Sequence, residues 1–593
     1  MIPLDFIMKT IRRIFSNDHL FSYDSMLRTC SEVERIMKEI ELSEIQTIHF
    51  PADGKIAHGG WVMPAAWTPK SATLEVILPD GTRKELCSYP DIPCSLMLYS
   101  TSCNVTGKMV LFDSEDDVKD KFVLGGNHFF SIQESEALYK EDAKVILSGK
   151  LLGPFSGMEG YEYLRDVCQW CNYGLPFWKE NSSRAGFSLT PNQSEYLQKL
   201  LKTNGEVTLH AVIDASLKDG TIPLVTGLLP GETNEEIVVT GHLFEQGADD
   251  NASGCAMALA LVKELAKKKR KRGIRLMFTH EIKSLQAYLN TNPQLPKIVA
   301  GIDLDMVGVT TDNYVNIGDS TPIFPNYAPA LLKHLLEPHG FKAIISEITS
   351  MDTQFSDPEY HVPMSFMVLF SNPNYHKSSD TPDTISAEVL KRTYQVSLRY
   401  VEFLVNAGFN EAKQLIDIVF AYEKERAEIL PDRNRALRTG HAAPKFAHQI
   451  AKERLDSILT LVDVEKREMF RRLLEEKAHE IGNLFQFIDP IPRPALTIEQ
   501  KNLLETLIPV KKFHGTLSFE KNMMEATLYP RVKDLINGWS VVPWLDYAVM
   551  WSNGARNGAE IWEMLSLSGN PADPELFYEI MKFMAEKDYI SLK

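Results

Sequence analysis

The sequence predicts an α/β protein: a doubly wound, mostly parallel sheet, with an inserted β-rich subdomain and a C-terminal helical, winged-helix-like region. Three observations carry this. Between residues 193 and 410, short apolar β-type runs alternate with helical patterns. The chain has 593 residues, more than one core accommodates. Polar residues able to do chemistry stand at the ends of successive apolar runs. At 44% hydrophobic and 24% charged, the composition supplies real cores. A net charge of -16 argues against nucleic acid or an acidic membrane as a general partner. Seven cysteines, an odd number thinly spread, read as free thiols in a reducing compartment. Residues 1–21 lack the sustained apolar stretch of a signal peptide, and no run of about 18 apolar residues occurs. A cytoplasmic location is the expectation.

In chain order, residues 4–40 have helical spacing, broken at Asn17-Asp18-His19. Short β-like runs follow at 45–50, 61–63 and 74–78, and 1–88 is taken as N-terminal helices and first strands. Residues 89–190 read as the β-rich subdomain, with strands near 108–112, 123–126 and 143–147. Its Cys168-Gln169-Trp170-Cys171 is a lone CxxC without a second pair, so structural thiols are expected. Residues 191–410 form the α/β unit. Its strands are expected near 206–214, 236–241, 274–279, 298–304, 343–348 and 365–370. Its helices are expected at 193–203, 255–269, 284–290, 327–339 and 386–407. The basic run 267–272 ends one of these helices, where cations complement the dipole. Residues 411–535 are helical, with a Pro-rich break at 490–494. Residues 536–593 suggest a winged helix: helical runs at 543–551, 558–567 and 574–587, then an apolar end. Positions 540–593 hold four basic and eight acidic residues, a net of -4, which would repel phosphates. A protein contact fits this end better than DNA.

The stretch 241–254 joins the apolar run 237–240 to a helix. It places His242, Asp249 and Asp250 among Gly and Ser, the composition of a metal site or of an Asx turn near Asn251 and Ser253. With His242, five residues arrive in this way. Asp305 ends the run 302–304. Glu281 follows the run 274–280. His376 follows the strand near 365–370, and Asp250 lies in the loop after His242. Parallel sheets gather sites at the carboxyl ends of their strands. Imidazoles and carboxylates there suit zinc with an open position for water, and a non-ligating carboxylate can take that water's proton.

Several segments resemble the M28 family of zinc aminopeptidases. His242 with Gly247-Ala248-Asp249-Asp250-Asn251-Ala252-Ser253-Gly254 is similar to its first metal motif. Glu281 is similar to its catalytic base, Asp303-Leu304-Asp305-Met306-Val307-Gly308 to a ligand segment, and Tyr375-His376-Lys377-Ser378-Ser379-Asp380 to the last one. The segment 351–355 resembles another loop. Trp61-Val62-Met63-Pro64 echoes a bacterial branch with an intercalated β-rich domain and a C-terminal winged helix. The resemblance implies a zinc aminopeptidase-like fold, with 191–410 as catalytic domain and the β-rich part as protease-associated-like. It implies that His242, Asp250 and Asp305 hold one zinc, that Asp250 bridges to a second zinc also bound by His376, and that Glu281 activates water. The implied substrate is the free N-terminus of a peptide or an aminoacyl compound, with no nucleic-acid or membrane partner and self-association left open. Two departures stand out. The family's second glutamate, a ligand of the second metal, is here Ile282, so one zinc is expected to bind and the second loses a ligand. His280 is the alternative ligand, although strand alternation turns it to the other face. The position two after the first His, often Asp, is Phe244. A catalytically degenerate scaffold, or a zinc enzyme acting on a non-peptide amide, are the alternatives.

Overall fold

The computed structural model describes residues 2–153, 159–170, 184–292, 294–346, 352–429, 444–485, 493–525, 527–537 and 540–593. Two large sheets organise it. The first has eight strands, in the order Ser43–Ala52, Gly220–Leu229, Gly273–His280, Glu236–Leu243, Ile298–Asp305, Met364–Val368, Tyr314–Gly318 and Lys342–Ser346. Its centre is parallel: Glu236–Leu243 lies between Gly273–His280 and Ile298–Asp305, which in turn pairs with Met364–Val368. Antiparallel pairings flank this centre. Every residue of Glu236–Leu243 and Gly273–His280 is buried, the signature of strands covered on both faces.

The Ala252–Leu265 helix covers one face. Its small side chains let its first turn approach the neighbouring strand closely: a Cβ on Gly254 would meet the Leu304 carbonyl at 2.0 Å. Ala387–Asn406 and the N-terminal helices Leu4–Phe15 and Tyr23–Glu39 share this core. The Lys283–Thr291 helix lies over the other face, within a smaller core that includes Trp61, Met63, Leu285 and Met277.

The second sheet has seven strands: Arg83–Tyr89, Ala66–Ile77, Thr208–Lys218, Cys103–Leu111, Phe122–Leu124, Val145–Ser148 and Gly186–Ser188. The β-rich stretch 89–190 therefore shares its sheet with strands on either side of it in sequence. Helices Phe409–Ile429, Pro444–Asp456 and Arg467–Phe485 pack on the main core. The last hundred residues build a separate core around Leu545, Trp562, Phe577 and Met584, and the terminal strand Ile590–Leu592 pairs with Pro509–Lys511.

Two strands of the first sheet escape the sequence pattern. Tyr314–Gly318 is short. Gly220–Leu229 carries Pro223, which argues against an inner strand. The ladder accommodates it: Pro223 faces His49 on one side, and pairing with Gly273–His280 begins only at Val225. The helix expected at 255–269 starts earlier, at Ala252, because the Asn251 side chain caps it by accepting from the Gly254 N–H at 3.0 Å. The run 267–272 lies beyond that helix, and Arg272 is buried, reaching Glu235 and the carbonyls of Leu404, Ala407 and Leu461.

Candidate metal centre

Neighbouring parallel strands deliver the site at one edge of the first sheet. His242 is the penultimate residue of Glu236–Leu243, Asp305 closes Ile298–Asp305, and Glu281 follows Gly273–His280 directly. Asp250 sits in the loop before the Ala252–Leu265 helix, and His376 in the loop after Met364–Val368. All five residues named from the sequence meet there.

The distances divide them into two groups sharing one residue. His242 Nε2 lies 3.3 Å from Asp250 Oδ1 and 3.3 Å from Asp305 Oδ1. The other Asp250 oxygen, Oδ2, lies 3.2 Å from His376 Nε2, which is 3.4 Å from Glu245 Oε2. His242, Asp250 and Asp305 thus converge on one point, and Glu245, Asp250 and His376 on another. His242, Glu245 and Glu281 also bring potential ligand atoms together, which places Glu281 beside both.

Glu245 is the residue that sequence reasoning missed. The family's second glutamate is Ile282 here, and Glu245 is the further carboxylate that the structure brings to Asp250 and His376. The chain turns at Phe244, whose φ of 85° lies in the left-handed region, so that positions 242 and 245 face the same centre. The turn is tied from outside: the Phe244 N–H donates to Asp18 Oδ2 at 3.2 Å, and its carbonyl accepts from the Phe21 N–H at 2.8 Å. A carboxylate three residues after a candidate ligand was the available signal. His280 stays out of these groups. It is buried beside Phe21 and Phe244, with ring centroids 4.9 and 6.2 Å away, and burial lowers its pKa to about 3.

The ligand loops are supported in depth. Asp380 accepts from the backbone N–H groups of Asp249 and Asp250, both at 3.0 Å. Asp249 accepts from the Gly308 N–H at 2.7 Å and from the Asn372 amide at 2.9 Å. His376 lies between two aromatic rings, Tyr375 at 3.8 Å and Trp170 at 4.0 Å. Trp170 comes from the β-rich stretch 89–190, and its backbone N–H donates to the His376 carbonyl at 3.0 Å. Next to it, Cys168 is joined to Ser378 through two hydrogen bonds of 2.9 and 3.2 Å. Cys168 is thus a buried structural residue, while Cys171 lies outside the described residues.

Glu281 sits on an unusual turn. Ile282 has φ 61° and ψ -50°, and the Lys283 N–H donates to the Glu281 carbonyl at 2.7 Å. This is a γ-turn of the strained hand, on a β-branched residue. Asp352 braces it, accepting from the Ile282 N–H at 2.9 Å and from Thr279 Oγ1.

The electrostatics follow from crowding carboxylates in low dielectric. Burial pushes Asp305 up to about 6, against the opposing charge of His242. Burial also raises Glu281, again opposed by His242 and reinforced by Glu245 and Asp305. Asp250 is the exception: burial would raise it, but the two imidazoles hold it below the ordinary range. His242 is raised, because Asp305 and Glu281 outweigh its burial.

The residues fit a metal. Glu245 Oε2 and Asp250 Oδ2 are buried and make no hydrogen bond. Ligands 2.0–2.1 Å from a tetrahedral zinc stand about 3.3 Å apart. The separations of 3.2–3.4 Å between the imidazole nitrogens and carboxylate oxygens match that spacing.

Comparison with known proteins agrees with this geometry. Residues 225–401 match the model of peptidase family M28. A Clostridium acetobutylicum protein described as a polysaccharide biosynthesis protein with aminopeptidase-like domain is 27% identical over 242 residues, 40% of this chain and 52% of that protein. The chain thus matches about half the length of that curated relative. Among solved structures, a zinc aminopeptidase from Bacillus subtilis aligns at 14% identity with a TM-score of 0.50, covering 68% of this chain and 96% of that one. A peptidase structure from Clostridium acetobutylicum aligns at 17% identity with a TM-score of 0.49, covering 68% and 81%. At 14% identity the likeness to the Bacillus subtilis structure speaks for the fold alone. Site, fold and matching segment point the same way: residues 225–401 are similar to peptidase family M28.

Proposed function

We propose that the protein is a zinc-dependent aminopeptidase with two metal positions. The observation that carries this reading is the pair of three-residue groups sharing Asp250, spaced as ligands of tetrahedral zinc. His242, Asp250 and Asp305 would hold one ion, and Asp250, Glu245 and His376 the other. Glu245 supplies the carboxylate that Ile282 lacks. Bound there, zinc would lower the pKa of a water and polarise the scissile carbonyl. Glu281, beside both groups and not needed as a ligand, accepts the water's proton and returns it to the leaving amine. Burial of the cluster, with His242, Asp250 and Asp305 at most 4% exposed, strengthens every charge within it.

The test is a panel of aminoacyl-fluorophore amides with the wild type and Glu281→Gln, alongside zinc analysis. Zinc in both proteins with hydrolysis only in the wild type supports the reading. Zinc-loaded wild-type protein without hydrolysis of any member ends it. A second reading has one specific support, the naming of the Clostridium relative for polysaccharide biosynthesis. The same centre would then cleave an amide on an amino sugar, and N-acylated amino sugars belong in the panel for that reason. For the last 58 residues we propose a winged-helix unit. Among the described residues, no helix is long and apolar enough to cross a membrane. Free thiols at Cys30, Cys87, Cys103, Cys168 and Cys255 support the reducing cytoplasmic setting that we propose.

A further inference from the structure

The Lys283–Thr291 helix starts at the strained turn after Glu281, and no side chain caps its N-terminus. Its outer side is held by residues more than two hundred positions away. Lys283 Nζ donates to Glu520 Oε2 at 2.7 Å and to the Val62 carbonyl at 3.0 Å, and the same Glu520 oxygen accepts from the Val62 N–H at 2.9 Å. The Lys283 and Glu520 side chains are 11% and 7% exposed, so the pair is largely desolvated. One turn on, the Gln286 amide donates to the His514 carbonyl at 2.5 Å and accepts from the Thr516 N–H at 3.1 Å. Asn290 exchanges two hydrogen bonds with His514, both at 3.0 Å. The contact continues along the Gly59-Gly60 turn, whose carbonyls accept from Ser518 and Lys521. It is so close that a Cβ on Gly60 would stand 1.8 Å from the Ser518 carbonyl.

A left-handed β-branched residue persists only where its surroundings over-determine it. Asp352 supplies one restraint on Ile282. The Gln354 amide supplies another, donating to the Ile282 carbonyl at 3.2 Å, and residues 514–520 of the separately cored C-terminal unit hold the helix that follows. We propose that this unit is a positioning element for the Glu281 turn, acting through the Lys283–Glu520 pair and the Gln286 and Asn290 contacts. The proposal rests on Glu281 being the general base. It gives the C-terminal unit an intramolecular task, consistent with an acidic surface that disfavours nucleic acid.

The experiment compares wild type, Lys283→Met and the double variant Lys283→Met/Glu520→Gln, all full length. The single variant leaves Glu520 buried without its cation, which destabilises; the double variant relieves that charge while keeping an acceptor for the Val62 N–H. Hydrogen exchange of the amides in 281–291 is read by mass spectrometry, with melting temperature and zinc content. The proposal expects exchange there to quicken about tenfold or more in both variants, and to stay fast in the double variant although its melting temperature recovers. A displacement of about 1 Å in a catalytic group can cost ~100-fold; a tenfold or greater fall in kcat, with KM within about twofold and zinc unchanged, is expected on the aminoacyl substrates. Unchanged exchange in 281–291, a kcat that stays at the wild-type level, or a kcat restored together with the melting temperature in the double variant would each overturn it. The exchange arm needs no substrate, so a wild type that hydrolyses nothing ends the aminopeptidase reading and leaves the coupling decided by exchange.

Discussion

The ligand half of the site and the base half are held by different means. His242 and Asp305 belong to adjacent parallel strands whose registers fix them, and Asp250 is locked by Asp380 and the Asn251 cap. These three are supported by the sheet and its own loops; Glu245 and His376 also lean on outside residues, Asp18 and Phe21 at the Phe244 turn and Trp170 at the imidazole. Glu281 also follows a strand, but the residue after it is in a strained conformation, braced by Asp352 and by a helix whose anchors are contributed by the chain's last hundred residues. Buried parallel strands set positions to a fraction of an ångström through main-chain ladders. A turn whose dihedrals oppose its own residue type depends on whatever packs behind it. Substitutions in the first half should therefore change metal content, and those in the second should change rate with metal retained.

The largest effect is expected at the shared residue. Asp250→Ala removes a ligand from both groups, so zinc should fall below about 0.1 equivalent and activity by about 1,000-fold or more, read by elemental analysis and initial rates. Residual tight zinc would show that Asp250 does not bridge. Glu281→Gln should retain zinc while kcat falls by about 100- to 10,000-fold, the span of general base catalysis. A loss of metal in that variant would move Glu281 into the ligand half. Trp170→Ala should weaken one metal about tenfold, the size expected when the support of a ligand is removed, and Trp170→Phe should restore most of it. Equal weakening of both metals would place Trp170 outside the His376 support.

The smallest effect concerns Asp18, which joins the N-terminal helices to the Phe244 turn. Burial lifts its pKa to about 7 from an ordinary 3.8, against the Thr29 hydroxyl and the Phe244 N–H. A carboxyl raised on folding favours the folded state fully below its unfolded pKa, and that contribution fades as pH rises through the folded value. Asp18→Asn should therefore lose less stability than the wild type between pH 4 and 7, measured by denaturant unfolding at each pH. A parallel dependence in both proteins would contradict the assignment.

The alternation of strands and helices made the first sheet and its functional edge legible, because polar residues at strand ends converge by topology alone. Three things were not legible. Gly220–Leu229 was hidden by Pro223, tolerated because the strand has one neighbour there. Glu245 was hidden by the left-handed Phe244, a conformation no aromatic residue advertises and one enforced by Asp18 and Phe21, more than two hundred residues away in sequence. The docking of residues 514–520 on the helix after Glu281 is a long-range contact between polar side chains and backbone, which no local periodicity announces.

In the function we propose, Glu245 replaces the carboxylate missing at Ile282. The direct measurement is the zinc stoichiometry of wild type and Glu245→Ala after exhaustive loading and desalting. About two equivalents are expected in the wild type and about one in the variant, with His242, Asp250 and Asp305 keeping the first ion. A wild type that holds only one, or a variant that still holds two, would contradict it.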